Sequence, residues 1–216
     1  MTIFWYRSLV LHGESSGRYK HDGVAYELGN VRVYVNNCSA PLLYVCPTQI
    51  NLLVAGNLKP GAVPLFVVRQ GVRGPDANVT LVLAAPQLFA TSDNLVIAQH
   101  ADYLTDHRRC TSPPAETIII YAAGLSPTEP NPAPPEIPNY PAQSASGLTV
   151  SLDGSPLPGE LIKYAGVTPG SAGVHQINLL LPATLAPNPE IRVTMGDQVN
   201  REGVVLPAQP SPHQPR

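Results

Sequence analysis

Hydrophobic and polar positions alternate along much of this chain with a period of two, the spacing of strands and not of helices. Val31, Val33 and Val35 alternate with Arg32 and Tyr34, and Asn36-Asn37 follows. Asparagine tolerates positive φ, so that pair predicts a tight hairpin. Leu42-Leu43-Tyr44-Val45, Ile50-Asn51-Leu52-Leu53-Val54, Leu65-Phe66-Val67-Val68 and Val79-Thr80-Leu81-Val82-Leu83 continue the set, bounded by Gly, Pro or Asn. Short runs so punctuated predict the antiparallel strands of a β-sandwich.

The second half repeats the order. Leu148, Val150 and Leu152 alternate with Thr149 and Ser151 ahead of the turn pair Asp153-Gly154. Leu161-Ile162-Lys163-Tyr164, Ile177 to Leu181, Ile191-Arg192-Val193-Thr194-Met195 and Val204-Val205-Leu206 follow. The clearest internal match sets Gln49-Ile50-Asn51-Leu52-Leu53-Val54 against Gln176-Ile177-Asn178-Leu179-Leu180-Leu181. In both, Ile and alternate positions are expected to face the core and Asn the other side. The opening strands correspond too, Thr2-Ile3-Phe4 with Thr117 to Tyr121. The expected fold is all-β: two tandem immunoglobulin-like antiparallel β-sandwiches related by an internal repeat. The first is expected over 1–90 and the second over 117–210, with a connector at 91–116 and a flexible tail at 211–216. The proline-rich stretch from Ser126 to Ala142 reads as a stiff, extended loop inside the second copy, with a proline-ligand role for it left open.

Composition narrows the class. Of the 216 residues only 13% are charged, about half the usual share, while Pro (25) and Gly (17) are abundant. With a net charge of −2 and 44% hydrophobic residues, the chain has neither the repulsion nor the polarity of a disordered one. Its 13 Lys and Arg are scattered, so no basic face for nucleic acid is expected. No apolar run reaches the roughly 18 residues of a membrane helix. Met1 to Arg7 lacks the basic start and apolar stretch of a signal peptide and reads as a strand that begins at once. On that reading the chain is a piece of a longer protein.

Val33-Tyr34-Val35-Asn36-Asn37, followed by Ala40-Pro41-Leu42-Leu43-Tyr44-Val45-Cys46-Pro47-Thr48-Gln49-Ile50-Asn51, resembles the signature of the Solibacter-type uncharacterised C-terminal domain. That is an acidobacterial family found at the ends of large exported proteins. Ile118 to Leu125 resembles its second signature and Gly173-Val174-His175-Gln176-Ile177-Asn178 its third. More distantly, both halves resemble the IPT/TIG immunoglobulin-like sandwiches. The resemblance implies a β-sandwich and an extracellular or cell-surface location, and it implies no activity. The expectation is a non-catalytic structural or interaction module: a spacer, adhesion or surface-association domain with a protein or glycan partner. Carbohydrate binding is the first alternative and a hydrolase accessory or catalytic domain the second.

Candidate chemistry is sparse. His100, Asp102, Asp106 and His107 are the one cluster with metal-ligand chemistry, although a connector also gathers solvated His and Asp; no metal or other cofactor is expected. Trp5, Tyr6, Tyr103 and Tyr140 are candidates for an aromatic platform that stacks on sugars. Pro169 stands where a nucleophile elbow around Ser171 requires its first glycine. Asp76, Glu136, Asp153, Glu160, Glu190 and Asp197 are spread over separate turn-like segments, with nothing to mark a glycosidase pair. Cys38 and Cys46 bracket a strand, and fully extended that span of about 26 Å far exceeds the ~7 Å between bridged Cα atoms. A bridge would use Cys110 with one of them, and three reduced thiols is the expectation.

Overall fold

In a computed structural model, residues 2–6, 17–18, 24–101, 112–125, 127–131, 137–144 and 147–208 are described, 2–6 and 17–18 by backbone course alone. The tail expected at 211–216 lies outside them. The chain is all-β: among the described residues the helical content is one 3-10 turn at Gly159–Leu161. It divides into two compact units. One comprises Met1–Leu83, Pro130–Ala142 and Pro169–Gly173; the other comprises Ala84–Glu129, Gln143–Thr168 and Val174–Arg216.

The first unit runs β1 (Thr2–Tyr6), β2 (Gly17–Arg18), β3 (Val31–Val35), β4 (Cys38–Ala40), β5 (Leu42–Cys46), β6 (Gln49–Val54), β7 (Gly61–Arg69), β8 (Val72–Arg73) and β9 (Ala77–Leu81). One antiparallel sheet has the order β1-β6-β5-β2 and the other β4-β3-β7-β8, with β9 also on β7. Period two decides what each face shows. Val31, Val33 and Val35 from one sheet meet Leu42, Val45, Ile50 and Leu52 from the other in a single buried cluster. Val63, Leu65 and Val67 of β7 complete it. Asn51 turns the other way, where its Oδ1 accepts from Gln49 Nε2 at 2.7 Å. Leu53 shares the Asn51 side of the strand, yet it too is buried.

The second unit runs β10 (Gln87–Leu88), β11 (Ala98–His100), β12 (Thr117–Ala123), β13 (Thr128–Glu129), β14 (Gln143–Ser144), β15 (Leu148–Leu152), β16 (Ser155–Pro156), β17 (Ile162–Val167), β18 (His175–Leu180), β19 (Ile191–Met195) and β20 (Gln198–Val199). Its larger sheet carries β12-β18-β17 at the centre, with β10 and β11 beside β12; the smaller has the order β16-β15-β19-β20. Ile118, Ile120, Ile177 and Leu179 face Val150, Leu152, Ile191 and Val193 across its core. Asn178 again points away, accepting from Gln176 Nε2 at 3.1 Å.

Local details recur between the units. The register slips between Leu42 and Tyr44 on β5, and between Ile162 and Tyr164 on β17. Asn36 and Asn37 (φ 49° and 61°) form one hairpin turn, and Asp153 and Gly154 (φ 47° and 77°) the other. The Asn36 N–H donates to the Pro64 carbonyl at 2.8 Å, as the Asp153 N–H does to Glu190 at 2.9 Å.

Three segments differ from the sequence expectation. Residues within the expected connector 91–116 form β11, which pairs with β12. Leu88, assigned to the first copy, pairs with Ala122. Both changes have one cause: backbone groups beside a buried strand are satisfied by pairing, however polar the intervening residues look. Within the proline-rich stretch, Thr128–Glu129 forms a short strand on β14, whereas Pro130–Ala142 belongs to the first unit.

Two residues are fixed by contacts more than by propensity. Asn200 is buried, and its Oδ1 accepts from the Val193 N–H at 2.6 Å. Its Nδ2 donates to the Ile191 and Arg201 carbonyls at 3.2 and 3.0 Å. Gly124 (φ 73°) passes so close to Ala85 that a Cβ there would lie 2.0 Å from its carbonyl oxygen.

These placements predict distinct costs. Leu179 is fully buried, so Leu179→Ala should lose about 2–5 kcal/mol in urea unfolding. Asn200→Ala strands a buried N–H and should lose about 1–3 kcal/mol. A Leu179→Ala loss below about 1 kcal/mol would refute the register.

Candidate functional site

Of the sequence-predicted metal cluster, His100 alone lies among the described residues. His100 ends β11, and its Nδ1 contacts Glu116 Oε1 just ahead of β12, so the pair ties two neighbouring strands at their ends. Beside it the Tyr121 hydroxyl donates to Gln99 Oε1 at 2.7 Å. Asp102, Asp106 and His107 lie outside the described residues. Among the described residues no group of three His, Cys, Asp or Glu is placed to hold a metal ion. The aromatic candidates are likewise dispersed along the chain: Trp5 and Tyr6 sit on β1 opposite Asn51 and Ile50, and Tyr140 is half-buried in the segment 137–144. Tyr103 lies outside the described residues. Ser171 follows Gly170, whose N–H donates to the Pro138 carbonyl at 2.7 Å.

Two outward surfaces have a built geometry that sequence reading missed. In the first unit, cross-strand register sets Tyr34 of β3 opposite Phe66 of β7. Their rings stack with centroids 4.8 Å apart and planes 11° off parallel. The Arg73 guanidinium caps the stack, 3.7 Å above the Phe66 ring, and is held by Asp76. A cation over a ring at an exposed site is worth about 0.5–1 kcal/mol. Because Arg73 covers Phe66, which is only 8% exposed, that ring has no face left for a sugar.

In the second unit the β15–β19 register sets Arg192 opposite Ser151. It borders an open depression of about 570 Å³ lined by Gly154, Glu190, Arg192, Glu202 and Gly203. Glu190 is committed elsewhere: its Oε1 accepts the Gly203 N–H at 2.8 Å, and its own N–H donates to Asp153 Oδ1 at 2.8 Å. Arg192 Nη1 lies 3.5 Å from that carboxylate, an ion pair without a hydrogen bond, and this nitrogen is buried with no acceptor. The lining brings a guanidinium side chain together with two carboxylates, an arrangement suited to holding a polar group.

His175, buried on β18 between Ala122 and Val167, contributes to packing. Cys38 and Cys46 are free, and Cys110 lies outside the described residues. No family model matches the chain, and no curated protein matches it.

The Cys46 thiol is biased by its neighbour. Its sulfur lies 3.5 Å from the Thr48 hydroxyl across the β5–β6 turn, and that hydrogen bond, ahead of the Thr48 backbone N–H, holds its pKa below the ordinary thiol value. A lowered pKa leaves more thiolate at a given pH, and thiolate is the reactive form. Alkylation of Cys46 by iodoacetamide, followed by peptide mass spectrometry between pH 7 and 8.5, should slow in Thr48→Ala and shift its midpoint to higher pH. Identical profiles would remove Thr48 as the cause.

Proposed function

We propose that the chain is a non-catalytic structural or interaction module of an exported, cell-surface protein, built from two copies of one immunoglobulin-like sandwich. What supports the duplication is the shared detail: the same slip before Tyr44 and Tyr164, the same hairpin tie from Asn36 and Asp153, and the same outward Gln–Asn pair. The observation that carries the non-catalytic reading is where the reactive groups are spent. Glu190 and Asp153 clamp a hairpin, Asp76 holds Arg73, and Glu116 holds His100. Catalysis asks for a nucleophile, an acid–base group and a donor for developing charge, all converging on one point. The exported location rests on the resemblance of the Val33 to Asn51 stretch to the acidobacterial C-terminal domains.

One observation favours a second reading, glycan binding. The open depression lined by Arg192, Glu190 and Glu202 suits the mixed donors and acceptors of neighbouring hydroxyls. A net negative lining argues for a neutral, hydroxyl-rich ligand over an anion.

A panel of esterase, glycosidase and peptidase substrates should give no turnover with the full chain. Turnover that disappears in His100→Ala would overturn the module reading. A glycan array decides the second reading: signal lost in Arg192→Ala supports it, and an empty array removes it.

A further inference from the structure

The two units close one edge differently. In the second, residues 204–206 lie along β19: the Ile191 N–H donates to Val204 and the Leu206 N–H to Pro189, both at 2.9 Å. The outer side of this segment is covered in turn. Leu95 pairs with Val205 in parallel; the Val205 N–H donates to the Asn94 carbonyl, and the Val96 N–H to the Val205 carbonyl, both at 2.9 Å. The inserted Val96 is buried.

The equivalent place in the first unit is β9 along β7. Pro64 opposes Asn78 there, as Glu190 opposes Val205. Proline has no N–H, and the Pro64 carbonyl is taken by Asn36 on the β3 side. Pro64 therefore exchanges no bonds with Asn78, and antiparallel alternation turns the Asn78 N–H and C=O outward, with Thr80 two residues on doing the same. Among the described residues no backbone bond covers that side of β9. Asn78 and Thr80 are exposed, and Ala77-Asn78-Val79-Thr80-Leu81 has none of the charges or prolines that guard free edges. Val72, Val82 and Leu83 nearby are exposed too.

We infer that β9 is a strand-acceptor edge: it takes one extended, uncharged, β-branched segment from another polypeptide, added in parallel as Asn94–Val96 is added to Val205. Main-chain bonds to Asn78 supply the affinity, and a small β-branched residue fills the inward position, the general mode of β-strand addition. The inference adds a partner to the module reading and rests on it for the equivalence of the two edges.

The probe is a fluorophore-labelled peptide with the sequence of Ser92–Gln99, titrated into the full chain. Saturable anisotropy is expected, with amide exchange at Asn78 and Thr80 slowed at least about tenfold at saturation. N-methylating the peptide at Val96 should weaken binding at least about fivefold, the loss of one main-chain bond. Asn78→Pro should do the same while leaving the β7 ladder intact, since that N–H makes no bond to β7. If the variant fails to fold, the N-methylated peptide on the unaltered chain still decides. No saturable binding, or binding indifferent to both changes, overturns the inference. So does concentration-dependent protection of the two amides without peptide, which would place a second copy on the edge. Turnover in the substrate panel would sink the module reading and leave these outcomes unchanged; a failed titration leaves a spacer.

Discussion

Each unit is organised by a strand paired on both sides within one of its sheets, β6 in one and β18 in the other. A central strand has both edges paired, so its side chains carry all the freedom it has left, and those alternate strictly. Sliding β18 by one residue would put Asn178 into the core and expel Ile177 and Leu179. Complete burial of an aliphatic side chain is worth about 1.5–3 kcal/mol, and a buried amide without partners costs about as much again. The outward Gln–Asn hydrogen bond is a modest gain beside that penalty. Once this strand is fixed, the slips opposite Tyr44 and Tyr164 and the positions of the facing hairpins follow, since those hairpins must cover the same apolar stripe.

Both cores are conservative in chemistry, whereas the outer faces of the β3–β7 and β15–β19 pairs are not. The first unit carries the cross-strand pair Tyr34–Phe66 there and the second the pair Ser151–Arg192. In the first unit a guanidinium is satisfied by a ring and a carboxylate. In the second, one guanidinium nitrogen lies 3.5 Å from the Glu190 carboxylate and makes no hydrogen bond. One unit therefore presents a closed surface at this face and the other an open polar one.

Strand positions were legible because alternation and turn chemistry are local. Val31 to Asn37 names both a strand and the positive-φ pair that ends it. What lay out of reach was pairing between residues far apart in sequence. Asn94-Leu95-Val96 sits among Asp93, Gln99 and His100 and reads as connector; its partner Val205 lies more than a hundred positions on, and no local pattern announces it. Tyr34, Phe66 and Arg73 were ordinary strand residues until register stacked them. Trp5, Tyr6, Tyr103 and Tyr140 were singled out by residue type, which carries no information about which rings meet. His100 was chosen for its neighbours in sequence, whereas its contact is Glu116, reached only because β11 lies against β12.

Gly124 bears on how far this sequence can drift. Asparagine occupies the left-handed region at Asn30, Asn36, Asn37, Asn94 and Asn188, so positive φ alone leaves an alternative to glycine. At 124 the second condition removes it, because any side chain begins with the Cβ that would strike the Ala85 carbonyl. Relief would require moving Ala85, whose N–H donates to the Gly124 carbonyl at 2.9 Å, and so breaking the tie that brings the two backbones together. Of the twenty letters available, this position accepts one, and a lineage that lost it could restore the packing only by rebuilding both segments at once.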